Sequence, residues 1–217
     1  MSLRLYLLRH GQTAASRENV FCGRGLDLEL TPEGVEMAAA FAATYRATPW
    51  QAVYAGPLRR TQATARVIVD AWRDVRDLPV RVDDGLAELD YGRWDGRTTA
   101  DVDRDFHDDY VRWTADPAWN APTGGETAIA LAQRMLGTVE TITRAVPDGD
   151  VLVISHKASI RALLCSLLGV DVGRFRYRFG CPVGSLTLVE FGTHGPLALT
   201  VADRSHLDAR LRALPGT

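Results

Sequence analysis

The sequence predicts an α/β fold, a three-layer sandwich in which helices cover both faces of a mixed, mostly parallel sheet. Short apolar runs alternate along the chain with segments of helical periodicity, which is typical of βαβ units. Two of these runs, Leu3–Leu8 and Val151–Ser155, are followed closely by a histidine, His10 and His156 respectively. Open α/β sheets place their ligand sites at the carboxyl ends of strands. Both histidines are therefore expected at a ligand site.

Capping signals and apolar periodicity predict the elements of the first half. Thr31-Pro32-Glu33 supplies an N-cap, a proline at the first helical position and an early acid, which together indicate a helix start. The inner face of that helix is expected to carry Val35, Ala38, Ala39, Ala42 and Tyr45. The elements predicted next are a strand over Trp50–Ala55, a helix over about Leu58–Arg73 and a short edge strand over Val80–Val82.

Residues 92–125 differ in character, because five aromatic side chains are interleaved there with acids and prolines. We expect a lid-like insertion over the sheet edge, with a short helix near Thr99–Trp113, inside a single domain that spans residues 1–217. Its aromatic side chains either pack a satellite core or face the cleft, and one or two are expected to face it. The remaining predicted elements are a long helix over Glu126–Val146, a helix from His156 to about Leu168, and strands over Ser185–Phe191 and Leu197–Val201.

Composition excludes several classes of function. The net charge is -2, with 46% hydrophobic and 24% charged residues, so no basic stripe suggests nucleic acid as a partner. The apolar stretches are too short for a membrane span or a signal peptide, which predicts a cytoplasmic protein. Cys22, Cys165 and Cys181 lack CxxC or Cys/His metal spacing, which favours reduced thiols over a disulfide framework or a zinc site.

An arginine beside a histidine, with a second histidine available, is what a phosphoryl-transfer site needs. One imidazole attacks phosphorus, and cations neutralise the oxygens around it. Five segments resemble, in order and approximate spacing, the motifs of the histidine phosphatase (phosphoglycerate mutase-like) superfamily. They are Arg9-His10-Gly11-Gln12-Thr13, Leu58-Arg59-Arg60, the stretch Glu88 to Gly96, Gly124-Gly125-Glu126-Thr127 and Ser155-His156. The resemblance runs from Leu3 to about Phe191 and implies the phosphoglycerate mutase-like fold.

The resemblance also implies a role for each matching residue. His10 resembles the nucleophile that becomes a phosphohistidine, and Glu88 resembles the proton donor. Arg9, Arg60 and His156 resemble the clamp that holds the phosphoryl oxygens. No metal and no other cofactor is implied, because the clamp supplies the charge that a metal ion provides elsewhere. The remaining residues expected around the phosphate or the rest of the substrate are Gln12, Thr13, Ser16, Cys22 and Gly23, together with Lys157, which departs from the family pattern.

Three positions depart from the family pattern. Ser16 stands where an asparagine is usual and still offers one hydrogen bond, whereas Gly56 replaces a common serine and removes a donor. Lys157 follows His156 at a predicted helix N-terminus and is the one lysine among 25 basic residues. Its ammonium either contacts a second anionic group of the substrate or lies in water on the pocket rim. Arg134 and Arg161 are expected in buried ion pairs.

A phosphatase that acts on a small phosphorylated metabolite is the favoured function. The alternative is a cofactor-dependent mutase, which returns the phosphoryl group to a phosphoglycerate. Such mutases carry an arginine after the catalytic acid and a long insertion, whereas this chain has Leu89 and a short insertion. A non-catalytic phospho-ligand binding protein is a third hypothesis, disfavoured because the two histidines, two arginines and the acid are all present. The substrate and the oligomeric state, a homodimer included, stay open.

Overall fold

The computed structural model describes residues 2–216, whose strands form one mixed sheet. The strands are β1 (Leu3–Arg9), β2 (Trp50–Ala55), β3 (Val80–Val82), β4 (Gly149–Ser155), β5 (Leu186–Gly192) and β6 (Gly195–Asp203). Their order in the sheet is β3-β2-β4-β1-β5-β6. Strands β1, β2, β3 and β4 pair in parallel, and β5 runs antiparallel to both β1 and β6. The predicted sheet type and the edge position of Val80–Val82 are confirmed.

The helices begin near the predicted positions, with small differences. The segment near Thr99–Trp113 forms two helices instead of one, because Phe106 leaves the helical conformation between them with φ -138°. The long helix covers 128–145 instead of 126–146. The helices are α1 (Ala14–Glu18), α2 (Pro32–Thr44), α3 (Arg59–Trp72), α4 (Thr99–Asp105), α5 (His107–Ala115), α6 (Ala128–Ala145), α7 (Lys157–Leu167), α8 (Phe175–Arg178) and α9 (Ala209–Ala213).

Side chains of the central strands point alternately to the two faces of the sheet, so the core has two layers. Leu5 and Leu7 of β1 pack with side chains of α6 and α7 on one face of the sheet. Tyr6 and Leu8 pack with side chains of α2 and α3 on the other face. Successive residues of a strand point to opposite faces. Because both faces of β1 are covered by helices, consecutive residues of this strand have to be apolar. This is the three-layer sandwich that the continuous apolar runs predicted.

The inner face predicted for α2 is wrong at Val35 and Ala39. Val35 is 42% exposed and Ala39 is also exposed, whereas Met37 and Phe41 are 1% and 0% exposed. The helix is rich in small apolar residues on all sides, so an apolar stripe with a period of 3.6 residues fits more than one phase. Met37 and Phe41, the two largest apolar side chains, decide which face of the helix is buried, because burying them removes the most apolar surface from water.

Two glycines allow the chain after β1 to approach the start of α2. Thr31 caps α2 by accepting from the Gly34 amide at 3.1 Å, and the Thr31 amide donates to the Gln12 carbonyl at 2.9 Å. A Cβ atom at Gly34 would collide with backbone atoms of Gln12, and one at Gly11 would collide with the carbonyl of Gly34. The loop that carries His10 is therefore held against α2 by direct backbone contact.

We expect Gly34→Ala to destabilise the protein by about 1–3 kcal/mol, because overpacking of a tight contact forces the backbone to move. Gly137→Ala is the matched control, since Gly137 lies in α6 and a Cβ atom there would meet no other part of the fold within 4 Å. At that position alanine should stabilise by up to about 1 kcal/mol through its better helix propensity. Urea denaturation measures both effects. Equal and favourable effects at the two positions would contradict the tight contact at Gly34.

Candidate active site

A cavity of about 320 Å³ opens at the carboxyl ends of β1 and β4. The polar part of its wall contains Arg9, His10, Arg60, Glu88, Lys157 and Arg176. The register that pairs Arg9 with Ser155 places the next residue of each strand, His10 and His156, side by side. Their ring centroids lie 5.1 Å apart. Both predicted histidines therefore meet at one end of the sheet, where His10 lines the cavity and His156 is fully buried beside it, outside the lining.

His10 presents an unprotonated nitrogen for nucleophilic attack. Its Nδ1 lies 2.7 Å from the carbonyl oxygen of Gly11. A carbonyl can only accept, so Nδ1 carries the proton and Nε2 keeps its lone pair. Burial, followed by the charges of Arg60 and Arg9, lowers the pKa of His10 well below its ordinary value. The imidazole consequently stays neutral, the form that can attack phosphorus, further into the acidic range than an exposed histidine.

His156 adopts the opposite tautomer. The Nε–H of Arg60 donates to its Nδ1 at 3.2 Å, and because arginine only donates, the proton of His156 must lie on Nε2. That Nε2–H is buried and has no hydrogen-bond partner among the residues described. Burial and the charge of Arg60 also lower the pKa of His156 well below its ordinary value. The neutral ring is thus a hydrogen-bond donor in need of an acceptor.

The two arginines of the predicted clamp are buried and are held by backbone carbonyls. Arg9 Nη1 donates to the carbonyls of Cys181 at 2.6 Å and Gly216 at 3.0 Å, while its Nε is buried without a partner within residues 2–216. Arg60 donates to the carbonyls of Gly23 at 3.0 Å and Leu26 at 2.8 Å. These contacts fix the direction of each guanidinium before any ligand binds, as anion recognition requires.

Glu88 is held at the N-terminus of α7. Its carboxylate accepts from the amides of Ala158 at 3.2 Å and Ser159 at 3.1 Å, and from its neighbour Leu89 at 2.8 Å. His156, the N-cap of α7, makes no side-chain cap of its own. Glu88 therefore satisfies amides that would otherwise lack partners at the helix start. This contact positions the carboxylate in the cavity wall beside the histidines.

An ion pair supports the segment that carries Glu88. Arg134 donates to the carbonyls of Ala87 at 2.7 Å and Glu88 at 2.8 Å, and its guanidinium bonds Glu126 at 2.6 Å. The predicted ion pair of Arg134 is confirmed. The one predicted for Arg161 is wrong, because no carboxylate among residues 2–216 pairs with its guanidinium, either from α7 itself or from a neighbouring element. Its Nε is instead buried with no partner in the part of the chain that the structure describes.

The other predicted ligand residues divide into two groups. Thr13, Ser16 and Cys22 line the cavity, although the Ser16 hydroxyl accepts from the Thr13 amide at 2.9 Å as part of the α1 capping box. Gln12 and Gly23 do not line it. The Gln12 side-chain amide donates to the Pro215 carbonyl at 2.7 Å, and the Gly23 amide donates to Asp95 at 2.5 Å. Both are occupied in holding loops together.

Gly56 is required by the position of His156. A Cβ atom there would lie 2.9 Å from the Leu86 carbonyl oxygen and 3.2 Å from His156 Nε2. The sequence predicts only the loss of a donor at this position. The geometry adds that a side chain here would crowd the one ring nitrogen of His156 that is free to donate.

Several residues of the cavity wall were not predicted. Asn19 ends α1 in the left-handed conformation with φ 55°, a conformation that asparagine tolerates better than most residues. Trp113 faces the cavity from the predicted insertion, together with Thr99, whereas Trp94 is fully buried in a satellite cluster with Val102. The wall residues that no motif indicated are Asn19, Val20, Phe21, Thr99 and Arg176, and Tyr91 lies within a matched stretch that gave it no role.

Residues 2–216 include no helix that combines the length and apolar character needed to cross a membrane. Within the same range, no group of three or more histidine, cysteine or acidic side chains is arranged to hold a metal ion. The thiols of Cys22, Cys165 and Cys181 are free, as their spacing predicted.

Comparison with known proteins links the chain to phosphatases. The family described as histidine phosphatase superfamily (branch 1) matches residues 5–204. The chain is 29% identical to phosphoserine phosphatase 1 of Hydrogenobacter thermophilus over 94% of each chain. It is 29% identical to the adenosylcobalamin/alpha-ribazole phosphatase of Escherichia coli, over 82% of this chain and 87% of that protein. The solved structure of a mycobacterial glucosyl-3-phosphoglycerate phosphatase matches with a TM-score of 0.83 and 28% identity, covering 94% and 100% of the two chains.

We expect His10 and His156 to remain neutral at about pH 6, where a histidine of ordinary pKa near 6.5 is mostly protonated. The physical reason is that burial and the neighbouring arginines lower both pKa values well below the ordinary value. Long-range proton–nitrogen NMR correlations should place the proton of His10 on Nδ1 and that of His156 on Nε2. Cationic rings at this pH, or one shared tautomer, would contradict the geometry.

Proposed function

The chain belongs to the histidine phosphatase superfamily and is a phosphoric monoester hydrolase, and we propose that it cleaves a small phosphorylated metabolite through a phosphohistidine on His10. The observation that carries this proposal is the pair of opposite tautomers. His10 offers a lone pair on Nε2, and His156 beside it offers an Nε2–H. One ring can attack phosphorus while the other donates to a phosphoryl oxygen.

In the first step, His10 Nε2 forms a bond to phosphorus as the bond from phosphorus to the ester oxygen breaks. The electron pair of that bond leaves with the oxygen, which takes a proton from Glu88. Negative charge on the phosphoryl oxygens meets His156 Nε2–H and the guanidinium groups of Arg9 and Arg60. These donors are already aimed by backbone carbonyls, so little reorganisation accompanies the reaction.

In the second step, water attacks the phosphohistidine. The bond between oxygen and phosphorus forms while the bond to His10 Nε2 breaks, which returns His10 to its neutral state. Glu88 accepts the proton of the water and so regains the proton that it gave in the first step. Inorganic phosphate is the product, and the residues of the site end the cycle in their starting protonation states.

The size and chemistry of the cavity support a small substrate. Its volume of about 320 Å³ lies at the lower end of the usual range for small-molecule sites, about 300–1,000 Å³. The named relatives act on phosphoserine, alpha-ribazole phosphate and glucosyl-3-phosphoglycerate. Leu89, which follows the catalytic acid, is fully buried, so that position supplies no cation for a phosphoglycerate carboxylate. Hydrolysis is therefore favoured over a mutase reaction.

We expect His10→Ala to abolish turnover, because no other group in the proposed cycle can accept the phosphoryl group. Rapid quenching of the wild-type enzyme should trap acid-labile, base-stable phosphate on His10. His194→Ala is the matched control, since His194 is exposed in the turn between β5 and β6. Assays in the presence of EDTA should measure both the release of inorganic phosphate and the formation of an isomer of the substrate. Label on His156 or on a serine, or full activity in His10→Ala, would overturn the proposed nucleophile.

We expect Glu88→Gln to impair substrates in proportion to their need for leaving-group protonation. General acid catalysis contributes about 10²- to 10⁴-fold, so kcat/KM for glycerol 3-phosphate should fall by about that factor. Hydrolysis of p-nitrophenyl phosphate should fall much less, because its leaving group is stable without a proton. Equal losses for the two substrates would mean that Glu88 shapes the pocket and transfers no proton.

A further inference from the structure

The cavity carries more positive charge than one phosphoryl group needs. Among the described residues that line it, four are cations, Arg9, Arg60, Lys157 and Arg176, and one is a carboxylate, Glu88. The cations therefore exceed the carboxylate by three charges, and by four when Glu88 carries the proton that the first step requires. A phosphomonoester dianion balances two of them. Buried or half-buried cations are costly unless they are paired, so the remaining charge indicates a second anion.

Lys157 is half-buried in the cavity wall and has no counter-charge in direct contact. No carboxylate within residues 2–216 lies within 4.0 Å of its ammonium. The charged groups that act on it are Arg9 on β1, Arg161 one helical turn further along α7, and Glu88. Burial, followed by the two arginines, lowers the pKa of Lys157 to about 8. A lysine in this environment gains more from an anionic ligand than one in water.

Arg176 faces the same cavity from α8 and is also unpaired among the described residues. Its guanidinium carbon lies over the ring of Trp113, 4.1 Å from the ring centroid, which is a cation–π contact. Its Nη1 is buried with no hydrogen-bond partner within residues 2–216. The guanidinium is thus held by an aromatic ring while a buried donor stays unused, and an anion would satisfy that donor.

Lys157 and Arg176 share one cavity with the reacting groups. His10, Glu88 and Tyr91 line the same cavity of about 320 Å³ as these two cations. This volume lies at the lower end of the range for small-molecule sites. One compact molecule is therefore able to contact both the reacting groups and the unpaired cations.

We propose that Lys157 and Arg176 form a subsite for a second anionic group of the substrate, separate from the clamp that holds the reacting phosphoryl group. This inference rests on the proposed phosphatase function and narrows its substrate class. The substrate is a compact phosphomonoester whose alcohol part carries a carboxylate or a second phosphate. Arg161 adds positive potential behind Lys157, and Trp113 holds Arg176 in place.

Three substrates of similar size test the subsite. Glycerol 3-phosphate carries only the reacting group, 3-phosphoglycerate adds a carboxylate, and glycerol 1,3-bisphosphate adds a phosphate. We expect kcat/KM for one or both of the last two to exceed that for glycerol 3-phosphate by about ten- to 150-fold, the range for a charge-assisted hydrogen bond. The larger of the two ratios identifies the anionic group that the subsite accepts.

Substitutions test which side chains produce the preference. The ratio measured is kcat/KM for the substrate with the second anionic group divided by kcat/KM for glycerol 3-phosphate. Lys157→Ala and Arg176→Gln should each lower the ratio about tenfold or more, whereas Lys157→Arg and Arg176→Lys should restore part of it by keeping the charge. Arg178→Ala is the matched control, because Arg178 is exposed on the same helix as Arg176 and lies outside the cavity wall. Thermal unfolding of each variant separates a loss of the subsite from a loss of the fold.

The ratio should also depend on pH in a defined direction. With a pKa of about 8, the Lys157 ammonium loses its proton as the pH rises above that value, so the preference for the second anion should decline there. The Cys181 thiol also acts on Lys157, and burial raises the pKa of that thiol. In Lys157→Arg the decline should disappear, because arginine stays protonated.

The outcomes separate this inference from the function on which it rests. If the wild-type enzyme releases no phosphate from any of the three compounds or from p-nitrophenyl phosphate, the proposed function fails. If it releases phosphate with equal kcat/KM from all three, the function stands and the subsite is wrong. A ratio that Lys157→Ala and Arg176→Gln leave unchanged, or that Arg178→Ala lowers equally, also overturns the subsite.

Discussion

The parallel pairing of β1 with β4 is the constraint on which the site depends. Both strands are buried on their two faces, so their register is set by two cores at once, and a slip of one residue would exchange the side chains of those cores. With Arg9 opposite Ser155, the chain leaves both strands at the same level. His10 and His156 then emerge as neighbours, with their rings edge to face. The catalytic geometry is in this sense a product of core packing.

His10 and His156 are identical side chains, but their neighbours give them different tautomers. The carbonyl of Gly11 can only accept and the guanidinium of Arg60 can only donate, so the two rings are forced into opposite tautomers. Burial keeps both rings neutral, and the arginines that disfavour their protonation are the same groups that attract a phosphate. The site is thus arranged for an anion, and the electrostatic cost of its charges is offset when the anion arrives.

The site residues at strand ends and in motifs were predictable from the sequence. In an α/β fold, a histidine or an arginine that follows an apolar run lies at the carboxyl end of a strand. Arg176 and Asn19 gave no such signal, since α8 and the end of α1 reach the cavity only through tertiary packing. Gln12 lies within a matched motif yet bonds Pro215, which shows that a motif fixes the backbone and not every side-chain direction. Periodicity likewise failed in part of α2, where small apolar residues on all sides left the choice of face to Met37 and Phe41.

The contact between Glu88 and the start of α7 has a consequence for the whole cycle. A carboxylate that caps a helix holds it through its negative charge and its lone pairs, and a protonated carboxyl does so less well. In the proposed cycle, the proton that Glu88 carries for the leaving group therefore weakens the first turn of α7, and its departure strengthens that turn again. Lys157 is the first residue of the same helix. If both proposals hold, the protonation state of Glu88 and the position of Lys157 are coupled through one helix end.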